Sequence, residues 1–276
     1  MAPILLEKPF LQLRRLIGNL TDEPGMEEIH RLRTRSQTVC SLLDVLRTVD
    51  PPAALRLRKA ILRIDKAAGR VRDLDVTGRI ALTLRSRQFC ASIEELERRI
   101  EKRRRRAAAD LADKVHRQRQ SLRRALKEYR KAISAPPAKS SAVLPANCVR
   151  RSIRVCIGQL ARGPEPDASH LHSFRLRVKH LRNLLRFEPD AAPRLMALLE
   201  RARTSIGAWH DWVHLAEVVQ KRLPAPHDPA LVARIDAVTA RKLGVALKAA
   251  RSLRALLARR SAASGRNAAQ RPCKAA

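Results

Sequence analysis

Residues 171–187 read LHSFRLRVKHLRNLLRF. Placed on an α-helix at about 100° per residue, this stretch separates into two faces. One face, about 80° wide on the same spacing, carries four basic-type side chains, here called the His172 row: His172, Arg175, Lys179 and Arg182. The opposite face carries Phe174, Val178, Leu181, Leu184 and Leu185. The pattern predicts a helix that packs through its apolar face and presents a line of cationic donors on the other.

The acids that usually accompany such cations are missing from this helix. No Asp or Glu occurs between Leu171 and Arg186, whereas a solvated helix face normally mixes in Glu, since oppositely charged i,i+4 pairs stabilise a helix. The His172 row therefore favours an anion-binding site. For His172 itself, a residue at the start of a helix that hydrogen-bonds a neighbouring helix is the alternative interpretation.

Composition agrees with a polyanionic partner. In 276 residues, Lys and Arg number 58 against 26 Asp and Glu, a formal net charge of +32. A compact protein with that charge repels itself and is stabilised by nucleic acid, an anionic membrane surface or a phosphate polymer. The abundance of Arg suits bidentate contact with phosphate. Only 3% of residues are aromatic, so aliphatic side chains must fill the core.

Cysteine usage and hydropathy restrict the setting. The five cysteines are scattered, without a C-x-x-C pair, so neither a disulfide framework nor a zinc ribbon is predicted. The amino-terminal residues show no long apolar run, and no signal peptide or membrane insertion is predicted. A reducing cytoplasmic location is the resulting expectation.

The helix of the His172 row has a weaker counterpart 142 residues earlier. His30 and Arg33 correspond to His172 and Arg175, and the apolar positions keep the same phase. The counterpart lacks two cations, because Gln37 occupies the position of Lys179 and Cys40 that of Arg182.

A second landmark repeats at an offset of 138 residues. Gly69 and Asp73 correspond to Gly207 and Asp211. Two landmarks in the same order at nearly the same offset predict an internal duplication. The first half also has a row of cations at 3-4-3-4 spacing, here called the Arg56 row: Arg56, Lys59, Arg63, Lys66 and Arg70.

The periodicity predicts an all-α protein with antiparallel neighbouring helices and no strand. The glycines at 69 and 207 are predicted to end helices, and the two aspartates to cap the next helix or to pair with an arginine. The Pro-rich residues 136–145 are the best linker. They divide a domain of residues 4–260 into repeats of about 4–135 and 146–260, followed by a tail, 261–276, that is predicted to be disordered.

These motifs resemble those of the CHAD family, the conserved histidine α-helical domain. The resemblance rests on His172-x-x-Arg175-x-x-x-Lys179-x-Leu181-Arg182, on the degenerate His30-x-x-Arg33, and on Gly69 with Arg72-Asp73 and Gly207 with Asp211. It implies two four-helix bundles related by a pseudo-two-fold axis, with basic helix faces lining a central groove or pore. It also implies binding of inorganic polyphosphate, often with association to polyphosphate granules.

The predicted polyphosphate-binding residues combine the basic rows of both halves: His30, Arg33, Arg56, Lys59, Arg63, Lys66, Arg70, Arg72, His172, Arg175, Lys179 and Arg182. A phosphate polymer offers repeated charge and no base to read or stack, which suits many cations and few aromatic residues. A basic nucleic-acid-binding protein is the alternative. Against this alternative, the sequence shows no recognisable recognition motif and few aromatic residues on which bases could stack.

Catalysis is not predicted, and no cofactor or metal is expected. No second carboxylate recurs beside Asp73 or Asp211. His210 and His214 have i,i+4 spacing that can hold a metal, but the pattern supplies no third ligand. Trp209 and Trp212 are interpreted as packing residues, and Arg103–Arg106 as a solvated face that adds non-specific affinity.

Overall fold

A computed structural model describes residues 3–46, 51–134, 145–188, 193–222 and 228–269 of the chain. All regular structure in these residues is helical, which confirms the predicted fold class. The helices are α1 (Pro3–Asn19), α2 (Met26–Leu46), α3 (Pro51–Leu82), α4 (Cys90–Ser134), α5 (Pro145–Arg162), α6 (Leu171–Leu185), α7 (Pro193–Arg222) and α8 (Pro229–Ala269).

The helices fall into two compact units, and the division of the sequence into repeats of about 4–135 and 146–260 stays a prediction. Unit 1 comprises residues 1–149 and 211–239, and unit 2 comprises residues 150–210 and 240–276. Helices α7 and α8 therefore each begin in one unit and continue into the other. Four helices precede the predicted linker and four follow it. That the two halves are related by a pseudo-two-fold axis stays a prediction.

Helices α1–α4 form a ring in unit 1. Helix α1 packs against α2 and α4, and α3 packs against the same two helices, the arrangement of a four-helix bundle. At one end of this ring the Phe10 and Tyr129 rings lie 5.8 Å apart. The Tyr129 hydroxyl donates a hydrogen bond to the Leu46 carbonyl over 2.8 Å, which satisfies the polar tip of a buried aromatic residue.

A second apolar cluster in unit 1 joins residues that are distant in sequence. The end of α3 and the start of α4 contribute Ala81, Leu84, Ile93, Leu96 and Ile100. The later segments contribute Trp212, Leu215, Val219, Leu231, Ile235 and Val238. The burial of Trp212 confirms it as a packing residue.

Unit 2 contains most of α5, α6, the first part of α7 and the last part of α8. Its buried apolar residues recur at helical spacing: Ile153, Cys156 and Leu160 in α5, Leu195, Leu199 and Ile206 in α7, and Ala246, Ala250, Leu253 and Leu257 in α8. Each of these helices therefore buries one apolar stripe and exposes its polar face to solvent.

Three predicted helix boundaries are wrong. Gly69 and Gly207 do not end helices, because α3 and α7 run through them without interruption. Asp73 and Asp211 consequently lie inside helices, so the interpretation of them as helix caps is also wrong. Helix α8 continues to Ala269, beyond the predicted end near Arg260, and residues 270–276 of the predicted tail lie outside the described part of the chain.

None of the described helices is long and apolar enough to cross a membrane.

Candidate anion-binding site

Helix α6 has the two faces that its sequence predicts. Phe174, Val178, Leu181, Leu184 and Leu185 are all buried. On the other face His172 is exposed, and Arg175, Lys179 and Arg182 are half-buried. At a rise of about 1.5 Å per residue, the His172 row extends about 15 Å along the helix. The row is therefore a line of donors on a rigid element, and its apolar back is fixed in the core.

The start of α6 is held in place by the turn that precedes it. The Asp167 side chain accepts hydrogen bonds from the Ser169 hydroxyl at 2.7 Å and from the His170 backbone N–H at 2.8 Å. These bonds lower the pKa of Asp167 to about 2, so its carboxylate stays ionised. Arg254 of α8 contacts the same loop through the Gly163 carbonyl at 3.0 Å and the Glu165 carboxylate. The first turn of α6 is thus fixed from two sides.

The first two residues of the His172 row contact α7. The His172 and His210 rings lie 5.4 Å apart, centroid to centroid, and are tilted by 33°. The Arg175 guanidinium lies directly over Gly207, where an added Cβ would be 3.4 Å from Nη2. Gly207 is buried, and an added Cβ would make an ordinary contact with this guanidinium. The arginine of the H-x-x-R motif therefore lies against the repeated glycine.

The far end of the row includes a carboxylate that the sequence pattern did not reveal. Arg182 Nε lies 2.6 Å from a carboxylate oxygen of Glu200 on α7. Glu200 also pairs with Arg203, and the hydrogen bond from Arg203 is the largest cause of a lowered pKa of Glu200. Glu200 fixes the Arg182 guanidinium and offsets part of its charge. In the sequence, Glu200 and Arg203 form an ordinary i,i+3 pair. Nothing in that spacing indicates that Arg182 of another helix also pairs with Glu200.

The first half places its arginine and glycine together in the same way. The Arg33 guanidinium lies over Gly69, where an added Cβ would be only 2.8 Å from Nη1. Arg33 also lies 3.9 Å from Asp65 and 3.9 Å from Asp73, both on α3. This contact confirms the interpretation of Asp73 as the partner of an arginine. His30, one turn before Arg33, is exposed.

The two substituted positions of the first half are occupied by uncharged side chains. Gln37 donates a hydrogen bond to Asp65 at 3.5 Å. Cys40 is buried, and burial, followed by the charge of Asp65, raises the pKa of its thiol to about 12. The thiol stays protonated, and the first row supplies no cation at the positions of Lys179 and Arg182.

Arg72 lies within the electrostatic reach of Arg33 and of Arg79, a residue absent from the predicted site. Burial is the main cause of a lowered pKa of the Arg72 guanidinium, with the charges of Arg79 and Arg33 acting in the same direction. The carboxylates of Asp211 and Asp75 oppose this effect. Arg79 is exposed. It follows Arg72 by seven residues, two helical turns, and that spacing was the signal that could have found it.

The Arg56 row runs along α3 beside the residues that face Arg33. At about 100° per residue its centre is about 140° around the helix from Asp65, about 100° from Gly69 and about 60° from Asp73. Arg70 pairs with Asp110 of α4 at 2.5 Å, and Arg56 lines a cleft of about 470 Å³ between α3 and α4. That the Arg56 row acts together with Arg33 stays a prediction.

No group of three or more His, Cys, Asp or Glu side chains that could hold a metal ion occurs among the residues that the structure describes. The expectation that this chain binds no metal stays a prediction.

The CHAD domain family model matches residues 10–220. This chain belongs to the CHAD family. The match includes both H-x-x-R motifs and both glycines described above. Among curated proteins no relative matches the chain.

A solved CHAD structure has the same fold. The crystal structure of the CHAD domain from the plant Ricinus communis aligns with a TM-score of 0.65 at 20% sequence identity, over 91% of this chain and 89% of that chain. At this identity the likeness shows the fold alone. The arrangement of each arginine over its glycine comes from the contacts within this CHAD chain.

Replacing each of the two glycines with alanine should change the stability of the protein by different amounts, because the contacts at the two positions differ. Replacing Gly207 with Ala should raise the free energy of unfolding by about 0.5–1 kcal/mol, because Ala favours a helix interior over Gly and the new Cβ makes only an ordinary contact with Arg175. Replacing Gly69 with Ala should gain less, because its Cβ would force the Arg33 guanidinium to move. Urea unfolding of both variants measures the difference. An equal or larger gain for Gly69→Ala would contradict the close approach of Arg33.

Proposed function

We propose that this protein binds inorganic polyphosphate, without catalysing a reaction, through the His172 row. One observation carries the proposal: α6 presents four basic-type residues in a line, its apolar face is buried, and the helix contains no acid. Guanidinium forks and an ammonium group spaced along a rigid rod suit successive phosphate units of a polymer. His172 adds a donor that strengthens when the imidazole is protonated.

Polyphosphate is proposed rather than a nucleic acid because the site offers no groups of the kind that recognise bases. Reading a nucleic acid requires donors aimed at base edges, and binding single strands requires aromatic faces on which bases stack. Aromatic residues are 3% of the sequence, and Trp212 is buried in the core. Membership of the CHAD family supports the same partner. Association with polyphosphate granules in the cytoplasm is part of this proposal.

A binding role rather than an enzymatic one is supported by the engagement of the repeated carboxylates. Asp73 lies 3.9 Å from the Arg33 guanidinium, and the negative charge of Asp211 acts on Arg72. Carboxylates held by guanidinium groups in this way are poorly placed to serve as general bases.

The two halves should contribute unequally. Gln37 and Cys40 stand in the first half where Lys179 and Arg182 stand in the second, so the first row has two fewer cations. Replacing Arg175 with Ala should therefore lower polyphosphate affinity more than replacing Arg33 with Ala. Binding isotherms of both variants at one salt concentration make the comparison. A larger loss for Arg33→Ala would reverse the ranking of the halves.

Competition between polymers tests the proposal itself. Labelled polyphosphate bound to the full chain is displaced with unlabelled polyphosphate, duplex DNA or RNA at equal phosphate concentration and fixed salt. Unlabelled polyphosphate should displace the label at the lowest concentration. Displacement at equal or lower concentration by DNA or RNA would favour the nucleic-acid-binding alternative.

A further inference from the structure

The exposed surface of α3 from Leu55 to Lys66, here called the outer face of α3, combines cations with leucines; Arg56 at its start also lines the cleft with α4. Leu55 and Leu62 are 58% and 38% exposed. They lie seven residues, two helical turns, apart on one side of the helix. The four exposed cations beside them belong to the Arg56 row: Arg56, Lys59, Arg63 and Lys66. All six residues belong to unit 1.

No acid lies three or four residues from any of these four cations along the helix. The positions three and four residues from each of them hold apolar or basic residues, proline or glycine. No carboxylate in the described part of the chain forms a salt bridge with them. Like charges at i,i+4 destabilise a helix, so this face carries an electrostatic cost that a bound anionic partner would offset.

Helix α4 of the same unit is the internal contrast. Many of its cations form salt bridges with an acid three or four residues earlier: Arg98 and Arg99 with Glu95, Arg105 with Glu101, Lys114 with Asp110, and Arg117 with Asp113. That is the pattern of a solvated basic face. The chain thus contains both kinds of basic helix, and the outer face of α3 is the unpaired kind.

The two leucines indicate which anion this face fits. A phosphate polymer or a nucleic acid backbone can neutralise the cations, but it gains nothing from an exposed aliphatic side chain. A lipid bilayer with anionic headgroups meets both requirements, since Lys and Arg interact with the headgroups while leucines enter the acyl boundary. The long stems of Lys and Arg also allow their charged ends to stay at headgroup level above the leucines.

We propose that the outer face of α3, from Leu55 to Lys66, docks on an anionic lipid surface, separately from the His172 row. The contact is peripheral, with two leucines inserted and four cations at the headgroups. Binding depends on both parts, since neither two aliphatic side chains nor four cations alone anchor a protein stably.

Vesicle binding by the full chain tests this proposal. The protein is sedimented with vesicles of phosphatidylcholine alone or mixed with phosphatidylglycerol at one salt concentration. It should bind the mixed vesicles more strongly. Replacing Leu55 and Leu62 with Gln, which keeps the net charge, should weaken binding to the mixed vesicles about tenfold or more. Replacing Lys59 and Arg63 with Gln should have an effect of similar size.

Two controls keep this result distinct from the proposed function. The variant Arg98→Gln with Arg105→Gln loses the same charge as the Lys59 and Arg63 variant, but from salt-bridged positions, and should keep most vesicle binding. The leucine variant should bind polyphosphate like the parent protein, and variants of the His172 row should keep vesicle binding. Failure of polyphosphate binding would leave these vesicle results unchanged.

Three outcomes would overturn the docking proposal. The first is equal binding to neutral and mixed vesicles. The second is unchanged vesicle binding by the leucine variant while circular dichroism shows it folded, since the surface would then be a general polyanion contact such as one for nucleic acid. The third is an equal loss of vesicle binding in the Arg98 and Arg105 control.

Discussion

Replacing Lys179 and Arg182 together with Gln should lower polyphosphate affinity steeply and flatten its dependence on salt. Binding a polyelectrolyte releases condensed counterions, so the logarithm of affinity falls with the logarithm of salt concentration in proportion to the number of phosphate contacts. Loss of two contacts should reduce that slope by about one to two units. Isotherms at several salt concentrations give both the affinity and the slope.

The matched control for this variant removes two charges from α4. Arg103 and Arg106 are exposed, and flexible exposed cations contribute little beyond screened attraction. The variant Arg103→Gln with Arg106→Gln should therefore lose less affinity and keep more of the slope. Equal losses in the two variants would mean that the protein binds polyanions through its bulk charge, and that the His172 row is no organised site.

Replacing Arg104 with Met should destabilise the protein by about 3–5 kcal/mol. Arg104 of α4 donates to a carboxylate oxygen of Asp75 on α3 at 2.9 Å and to the Pro24 carbonyl at 3.0 Å. The Asp75 side chain is only 2% exposed. Loss of Arg104 would leave a buried carboxylate without its cation, and the cost of that charge decides the size of the effect. The free energy of unfolding in urea measures it.

Two further variants separate this explanation from a loss of packing. Arg103→Met changes a neighbouring exposed residue and should alter the free energy of unfolding by no more than about 0.5 kcal/mol. Combining Arg104→Met with Asp75→Leu removes both charges and should cost less than Arg104→Met alone. A double variant at least as unstable as the single one would show that the buried charge is not the cause.

Helical periodicity alone predicted the faces of α6 because the pattern there is unambiguous. Five apolar residues recur on one side and four basic-type residues on the other, and burial follows that division. The internal repeat also marked Arg33 with Arg175 and Gly69 with Gly207 as equivalent positions, but it did not indicate that each arginine lies against its glycine. In both cases a regular spacing along the chain carries the physical information.

The role of the two glycines required the fold. A glycine within a basic helical stretch is typical of a helix end, but here each glycine continues its helix and lies against an arginine from another helix, closely enough at Gly69 that a Cβ would displace that arginine. These contacts arise from packing between segments about 36 residues or fewer apart in sequence, and no local pattern expresses them. The buried Arg104–Asp75 pair lay hidden for the same reason, within a run that is typical of a solvated face.

That the Arg56 row joins Arg33 in one site stays a prediction. The spacing shows that Arg56, Lys59, Arg63 and Lys66 share a face, but it does not say which neighbour that face meets. The ion pairs of Arg33 with Asp65 and Asp73 fix the side of α3 that α2 covers. At the end of the Arg56 row, Arg70 meets Asp110 of α4.

The path of α7 and α8 has a consequence for how this protein forms on the ribosome. The core cluster around Leu96 and Ile100 is completed by residues from Trp212 to Val238. For more than 110 residues of synthesis, the end of α3 and the start of α4 therefore expose apolar surface that has no partner yet. Unit 1 cannot be complete before the start of α8 has emerged, and neither half of the chain expressed alone contains the whole of this cluster.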